Sequence, residues 1–199
     1  MGRKRTIDRE ATMTAIEAVI LRDGAGGLSI DAVAREAGIS KSSVVYDFRN
    51  KAGLLAAFMQ NRMDAHREQI MARRATLQGP DAFMRAVLHE CGINKSEEEL
   101  AGALMLAAAA RSSDECHNVL GREIAGFMEM AQQDAANERA TRLAFVALHG
   151  LQCLEYFSFV RLDPQIRQEL VKDIASLLDA PMPDTRKSDA EHDTDPLPA

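Results

Sequence analysis

Apolar residues recur every three or four positions through most of this chain, which is the spacing of one buried helical face. In the first segment Ala11, Ala15, Ala18 and Val19 have this spacing, and a glycine-rich stretch follows. Apolar-periodic segments and turn signals alternate in this way as far as residue 179, which predicts about nine helices and no strand. The predicted spans are 6–22, 30–36, 41–47, 51–74, 80–91, 100–110, 112–134, 137–160 and 164–179.

Capping residues mark many of these boundaries. Ser29, Ser40 and Asn50 each stand directly before a predicted helix, where a side-chain oxygen accepts a hydrogen bond from a free backbone amide. Gly38 separates the second and third helices, because glycine adopts the left-handed conformation that a tight turn requires. Asp163, followed by a proline, has the pattern of an N-cap and a first helical residue.

The composition supports an all-α, globular fold. Hydrophobic residues make up 46% of the 199 residues, and residue types that favour helix dominate. Four of the six prolines lie in the last twenty residues, where apolar residues are few, so we expect a disordered tail at 180–199. The predicted organisation is a head at 1–50, a helical body at 51–179 and this tail.

Membrane and secreted proteins are disfavoured by the sequence. No apolar run approaches the roughly 20 residues of a membrane span, and no apolar segment typical of a signal peptide follows the basic start. The three cysteines, Cys91, Cys116 and Cys153, form no CxxC pair, which fits the reduced thiols of a cytoplasmic protein. We therefore expect a cytoplasmic location and no membrane association.

The net charge of −6 is distributed unevenly along the chain. The first 51 residues contain nine Lys and Arg against seven Asp and Glu, whereas the remainder contains 15 against 23. This asymmetry favours a phosphate-facing head on an acidic body, whose charge would limit non-specific binding to DNA.

The segment 29–48 has the pattern of a helix-turn-helix. Two short helices flank a tight turn, and Ala34 stands where the helices must approach each other closely. The apolar residues of the segment close a small shared core, and they are Ile30, Val33, Ile39 and Val44. The other side of the second helix is then left to small polar residues and a lysine, which suit base edges and phosphates in a major groove.

The stretch from 13 to 55, about a fifth of the chain, resembles the DNA-binding head of the TetR family of repressors. The matching residues are Gly24, Ser29, Val33, Ala34, Ala37, Gly38, Ile39, Ser40, Lys41, Phe48, Lys51, Leu54 and Leu55. The resemblance implies a three-helix head followed by a helical ligand-binding and dimerisation domain. It also implies a homodimer that binds a double-stranded DNA operator and a small-molecule effector.

We expect the DNA contacts to come from the helix-turn-helix and from basic residues on either side of it. The basic arm at the N-terminus is assigned to the minor groove or to phosphates, and Lys51 is assigned to a phosphate by the resemblance. In many family members an aromatic residue stands where this chain has Val45, and here the tyrosine comes one residue later. The predicted set is Arg3, Lys4, Arg5, Ser29, Ser40, Lys41, Ser42, Ser43, Tyr46 and Lys51.

The body is predicted to hold an effector pocket and a dimer interface. Methionine and aromatic side chains suit an adaptable apolar pocket, although ordinary core packing is an equal alternative for each residue. The predicted pocket consists of Met63, Phe83, Val87, Leu104, Met105, Ala108, Phe127, Met128, Phe145 and His149. The resemblance assigns the last two helices to the interface, with Leu143, Val146, Leu151, Leu154, Ile166, Leu170, Ile174 and Leu177.

Taken together, the sequence predicts a repressor that a small apolar or amphipathic molecule releases from a palindromic operator. A helical protein-interaction or membrane-associated adaptor is the alternative, and an enzyme is disfavoured because no catalytic motif occurs. Pairs of His and Cys near 89–91, 116–117 and 149–153 are interpreted as core or pocket lining rather than metal ligands. The first six residues match an N-myristoylation pattern, but we interpret this basic arm as DNA-facing. We expect no cofactor.

Overall fold

The computed structural model describes residues 8–93, 96, 100, 102–104, 107–108, 111 and 113–179. Within these ranges it contains eight continuous helices and no strand, which confirms the predicted all-α fold. They are α1 (Arg9–Gly27), α2 (Ile30–Glu36), α3 (Lys41–Phe48), α4 (Lys51–Arg74), α5 (Ala82–Gly92), α6 (Asp114–Gln133), α7 (Glu138–Tyr156) and α8 (Pro164–Ser176). Helical backbone also occurs at 100, 102–104, 107–108 and 111, inside the predicted 100–110 helix or next to it. The basic arm at 3–5, Met105 and the predicted tail at 180–199 lie outside the described residues.

The predicted N-caps are present with their hydrogen bonds. Ser29 accepts from the Ala32 amide at 3.1 Å, Ser40 from Ser43 at 3.1 Å, and Asn50 from Gly53 at 2.9 Å. Each cap satisfies an amide that the first helical turn leaves unpaired and contributes on the order of 1 kcal/mol. Helices α2, α3 and α4 therefore begin where the sequence indicated.

The start of α1 is at Arg9, after the Asp8 N-cap, instead of the predicted 6. Among the other boundaries that differ from the prediction, four are described here, and left-handed backbone explains three of them. At Gly24, φ is 69°, which kinks α1 and allows a further helical turn to Gly27 beyond the predicted end at 22. Asp81 has φ of 58° and delays α5, while Ser158, with φ of 54°, follows the end of α7. The fourth is the end of α8, where the residues from 177 to 179 form turns instead of the predicted helix.

The first of two hydrophobic clusters, the head core, is built from α1 to α4 and the first turns of α6. Ile16, Val19, Val33, Val44 and Leu54 are all completely buried in it. This arrangement explains the apolar periodicity of the first three helices, because each helix turns one face toward this cluster.

The second cluster, the body core, lies between the C-terminal part of α4 and the helices α5 to α7. Residues at the C-terminal end of the described chain pack against it. Ile70, Phe83, Met84 and Leu148 are fully buried there, and Leu178 packs on the same cluster from beyond α8. The body is therefore a bundle whose interior is supplied by residues far apart in the sequence.

The two cores are joined by α4 and α6, each of which contributes to both. On α6, Cys116 and Val119 are buried in the head core, and Phe127 and Ala131 are buried in the body core. The Cys116 thiol lies 3.9 Å from the carbonyl oxygen of Ala52, and its burial raises the pKa of that thiol. The head consequently packs directly against the body through these two shared helices.

A buried arginine fastens α8 to the rest of the body. Arg167 is only 6% exposed, and its Nε donates to the Glu155 carboxylate at 2.7 Å. Its two terminal nitrogens donate to the carbonyl oxygens of Gly92 at 2.6 Å and Cys91 at 2.9 Å. One guanidinium therefore satisfies carbonyls at the end of α5 and a carboxylate on α7, which joins three helices.

We searched the described helices for apolar stretches long enough to span a lipid bilayer and found none.

We predict that Arg167→Met destabilises the protein by about 3 kcal/mol, because removing one partner leaves the Glu155 carboxylate and two carbonyls without this donor. Urea unfolding at neutral pH measures the change. Arg142→Met is the matched control, since its pair with Glu138 is exposed and should be worth no more than about 0.5 kcal/mol. Equal unfolding midpoints for the two variants would contradict the proposed clamp.

Candidate nucleic-acid interface

The segment α2–turn–α3 is a packed helix-turn-helix. Val33 and Val44 are completely buried where α2 and α3 meet, and Ala34 is 7% exposed at the same contact. Ile30 and Ile39 are partly buried against the same cluster. The four residues predicted to close this core therefore do so.

The turn between α2 and α3 depends on Gly38. Its φ is 64°, a conformation that residues with a Cβ adopt only at a cost of about 1–2 kcal/mol. The turn is closed by two hydrogen bonds, from the Gly38 amide to the Arg35 carbonyl at 3.3 Å and from the Ile39 amide to the Ala34 carbonyl at 3.0 Å. The orientation of α3 relative to α2 follows from this closure.

The outer face of α3 is accessible to solvent. Tyr46 is 77% exposed and Val45 42% exposed, and Lys41 and Ser42 are exposed as well. Val44 and Phe48 point the other way, into the head core. An exposed polar face on a helix that is anchored by its opposite side is what major-groove recognition requires.

Ser43 lies differently from its expected position on this face. It is only half-exposed, and its hydroxyl is 2.7 Å from that of Ser40, which also accepts from the Ser43 amide. The Ser42 hydroxyl is 3.0 Å from the same Ser40 oxygen but is exposed. Ser43 therefore belongs to the cap of α3, and the outward serine is Ser42.

Two exposed residues on or directly after α3 were missed by the prediction. Val45 is exposed beside Tyr46, and Arg49 is exposed at the end of the helix, with φ of 64°. Val45 lies one turn after Lys41, so helical spacing places it on the same face of α3. Arg49 follows the end of α3 in left-handed backbone, so helical spacing alone does not place its side chain.

The two predicted interface lysines that lie within the described residues, Lys41 and Lys51, have intramolecular partners. Lys41 forms an ion pair with Asp31 of α2 at 2.9 Å. The Lys51 ammonium donates to the carbonyl oxygen of Gly26 at 2.8 Å, at the end of α1. An ammonium has three donors, so neither contact uses up the capacity for a phosphate.

Part of the predicted effector pocket is brought together in the body core. Phe83 and Phe127 have ring centroids 6.1 Å apart, and Val87 and Phe145 are buried in the same cluster, with Met128 packed against it. His149 stacks on Phe145 at 4.0 Å between centroids, and burial lowers the pKa of His149. These six residues therefore form one apolar, aromatic region.

The remaining predicted pocket residues are not part of this region. Met63 packs against the head core, Leu104 is 36% exposed, and Ala108 is exposed. Methionine and leucine identity alone did not distinguish the two cores, because both are lined with the same residue types.

A buried carboxylate beside the aromatic region was also missed. Glu123 is 6% exposed and accepts from the Gln60 amide at 3.2 Å. It forms an ion pair with Arg67, whose guanidinium lies 5.9 Å from the Phe127 ring centroid. Glu123 lies four residues from each of the apolar positions 119 and 127, which places it on the buried face of α6. Periodicity alone predicts an apolar residue at this position.

The structure also contains an open cavity of about 480 Å³ between the end of α5 and the start of α8. Its lining contains none of the predicted pocket residues, and it consists of Leu88, His89, Gly92, Ile93, Pro164, Gln165, Gln168, Val171 and Lys172. The lining mixes aliphatic side chains with amides and one lysine, in contrast to the aromatic region of the body core.

The predicted dimer residues divide into an exposed and a buried group. The exposed group is apolar and large, and it consists of Leu143, Val146, Leu154, Ile166 and Leu170. Leu151, in contrast, is only 7% exposed, and Ile174 and Leu177 pack against the body core. The first group is the more accessible to a partner, since Ile174 and Leu177 are partly buried.

Between Leu143 and Leu154 the exposed residues of α7 form a continuous stripe without a charged side chain. The stripe passes over two small residues, Ala147 and Gly150, and the exposed Cys153. A Cβ placed on Gly150 would meet no atom within 4 Å, so this position is open to solvent.

The possible soft metal ligands do not assemble. Across the part of the chain that the structure describes, no three His, Cys, Asp or Glu side chains converge on a point where a metal ion would fit. Cys91 and His66 approach each other, with 3.8 Å between Sγ and Nε2, whereas the His149 ring bonds to the Phe145 carbonyl at 2.9 Å.

Two family profiles match the chain. Residues 13–58 match the one described as bacterial regulatory proteins, tetR family. Residues 81–179 match the one described as tetracyclin repressor-like, C-terminal domain. Together they cover the helix-turn-helix, α4 in part, and most of the body.

Individual relatives and solved structures agree with these matches. The HTH-type transcriptional regulator BetI of Pseudomonas fluorescens is 37% identical over 81 residues, which are 40% of this chain and 39% of BetI. This match therefore spans about two fifths of the length of that curated relative. A TetR transcription regulator from Haloarcula marismortui superposes with a TM-score of 0.69 at 18% identity, covering 86% of this chain and 96% of that one. The multidrug binding protein EbrR, solved with imidazole, gives 0.65 at 19% identity, covering 91% and 99%.

Proposed function

Because this chain belongs to the tetR family of bacterial regulatory proteins, we propose that it is a homodimeric repressor whose operator binding is relieved by a small molecule. As a member of that family it is a DNA-binding regulator of transcription and not an enzyme. The exposed face of α3, held on a packed helix-turn-helix, is the observation that supports the proposal most directly. The adaptor alternative is not favoured.

In the proposed complex α3 enters the major groove. Lys41, Ser42 and Tyr46 are exposed on its outer face and are assigned to base edges and phosphates. Ser29 and Ser40 stand at the N-termini of α2 and α3, where helix dipoles and amides favour phosphate. The proposed target is DNA in the bacterial cytoplasm.

Lys51 is assigned to the phosphate backbone. It begins α4 and its ammonium is held beside the end of α1, at the edge of the head. The basic arm, Arg3, Lys4 and Arg5, is proposed to add minor-groove or phosphate contacts.

The proposed dimer forms through the apolar stripe of α7 and the neighbouring exposed residues of α8. Apolar side chains such as Val146, 61% exposed, and Ile166, 51% exposed, are typical of a homodimer interface when they are contiguous. The pairing of one patch with its own copy gives a two-fold axis, and two heads related by this axis would bind a palindromic operator.

The proposed effector site is the aromatic region of the body core around Phe83, Phe127 and Phe145. A ligand that displaces Phe127 would shift α6, and the same helix is buried in the head core at Cys116 and Val119. A rigid helix of this length spans about 30 Å, so a shift at one end reaches the other. The multidrug binding protein EbrR was solved with imidazole and with proflavin, and for this chain we propose an apolar or amphipathic effector.

Lys51→Ala should weaken binding to every DNA duplex and reduce the salt dependence of affinity, because one phosphate contact per head is lost. The slope of log affinity against log salt concentration should become less steep by about 0.9 per head, or by roughly two per dimer. Fluorescence anisotropy with labelled duplexes at several salt concentrations measures it. Lys172→Ala, an exposed lysine on α8, is the matched control, and identical slopes for the two variants would contradict the assignment.

Val146→Glu should dissociate the dimer, since it places a carboxylate among the uncharged exposed residues between Leu143 and Leu154 of α7. Sedimentation at micromolar concentrations reports the loss, and operator affinity should fall with it. Met71→Glu provides the control, because Met71 is 40% exposed on α4 and lies outside the proposed interface. A Val146→Glu protein that sediments as the wild type does would place the interface elsewhere.

Phe127→Leu should reduce the response to any compound that lowers operator affinity, because it removes the aromatic ring, while affinity without compound changes little, because most of the apolar volume is kept. The measurement is operator affinity across a panel of apolar and amphipathic molecules, repeated on the variant. Ile124→Ala, on the exposed side of the same helix, should keep the full response. If no compound alters the affinity of the wild-type protein, the effector part of the proposal is wrong.

A further inference from the structure

A carboxylate lies at the tip of the proposed DNA-reading helix. Both oxygens of Asp31 on α2 contact the Lys41 ammonium, at 2.9 Å and 3.0 Å. The two side chains are 60% and 62% exposed, so the pair lies on the surface rather than in the core. Among the ion pairs formed by described residues, it is the one that includes a residue of α3.

We propose that Asp31 is a specificity-determining residue that competes with DNA phosphates for Lys41 and thereby suppresses binding to non-operator DNA. The inference rests on the proposed function, since it requires the outer face of α3 to meet the duplex. Asp31 itself is exposed and lies next to this interface.

The competition follows from the geometry of the pair. A phosphate that approaches Lys41 meets an ammonium already neutralised by a carboxylate about 3 Å away, and it is repelled by that carboxylate as well. Binding to random DNA is supplied essentially by contacts between cations and phosphates. Weakening the contact between one such cation and a phosphate therefore lowers the affinity for random DNA directly.

Operator binding is affected less by the same carboxylate. On the operator, Lys41 is proposed to donate to a base edge rather than to a phosphate, and an ammonium with three donors can do so while it keeps its contact with Asp31. The carboxylate consequently reduces affinity for random DNA by a larger factor than affinity for the operator. The acidic net charge of −6 acts in the same direction over the whole molecule, whereas Asp31 acts at one cation.

The other head lysine provides a useful contrast. Lys51 also has a partner within the protein, but this partner is the neutral carbonyl of Gly26. A carbonyl orients the ammonium and leaves its charge intact, so Lys51 remains available to any phosphate. Of these two lysines, the one on the reading helix is partly neutralised and the one at the edge of the head is not.

The experiment compares Asp31→Asn with the wild type on a random duplex and on an operator obtained by selection from a random DNA pool. We expect Asp31→Asn to bind the random duplex about threefold to tenfold more tightly, since a surface ion pair is worth a few-fold per head and two heads bind. The gain on the operator should be smaller, so the ratio of operator to random affinity falls.

Two further variants separate this mechanism from simpler ones. In the Lys41→Gln background, Asp31→Asn should produce no gain, because the cation for which the carboxylate competes is absent. Glu17→Gln removes the same charge from another exposed ion pair of the head, with Arg62, and should leave both affinities unchanged. Urea unfolding confirms that each variant is folded.

Each alternative has its own result. Weaker binding by Asp31→Asn would show that the carboxylate positions Lys41 for DNA, and a gain that persists in the Lys41→Gln background would show a general charge effect; either overturns the inference. An equal gain from Glu17→Gln overturns it as well. A wild-type protein that enriches no sequence and binds no duplex would instead overturn the proposed function, which is a distinguishable failure.

Discussion

The structure depends on the burial of the first turns of α6 beneath the head. Cys116 is completely buried among residues of the head core, and its thiol lies against the backbone of α4. A three-helix head on its own would expose this surface. Because the body supplies the missing wall, the position of the DNA-facing helix is set by the same helix that reaches the aromatic region of the body core. A movement of α6 in the body core therefore also changes the packing of the head.

The helices of the head were predictable because local signals determine them. Ser29, Ser40 and Asn50 form their cap hydrogen bonds as the sequence indicates, and Gly38 takes the left-handed conformation that its turn needs. The start of α5 was not predictable in this way. Asp81 adopts a left-handed conformation because its amide donates to the Asp134 carbonyl at 2.7 Å and its carboxylate accepts from Thr141 at 2.9 Å. These partners are more than fifty residues away, and no local pattern encodes them.

The candidate sites also combine features that the local sequence predicts with features that depend on distant contacts. Periodicity identified the buried face of α3 correctly, and the exposed face follows from it, including Tyr46. Whether an individual serine belongs to the cap or to the outer face depends on rotamers and hydrogen bonds, so the sequence did not reveal that the Ser43 hydroxyl lies beside that of Ser40. In the body, apolar residue type does not say which of two cores a side chain joins, so the sequence did not reveal that Met63, predicted for the pocket, packs against the head core. Charged residues in the interior, such as Glu123, become visible only when their partners are known.

Buried polar groups explain how an interior rich in interchangeable apolar side chains is held in a single arrangement. Leu, Met, Val and Phe tolerate sliding of one helix past another, whereas a guanidinium that binds two carbonyls and a carboxylate does not. Arg167 has this role for α8, since a shift by one turn would leave its three acceptors without their donor. The exposed apolar residues of α7 and α8 then keep a fixed relative position. In the proposed dimer the separation of the two heads depends on how α7 and α8 are placed relative to each other. The spacing of the two DNA-binding helices is therefore maintained in part by the Arg167 contacts, which lie far from the DNA.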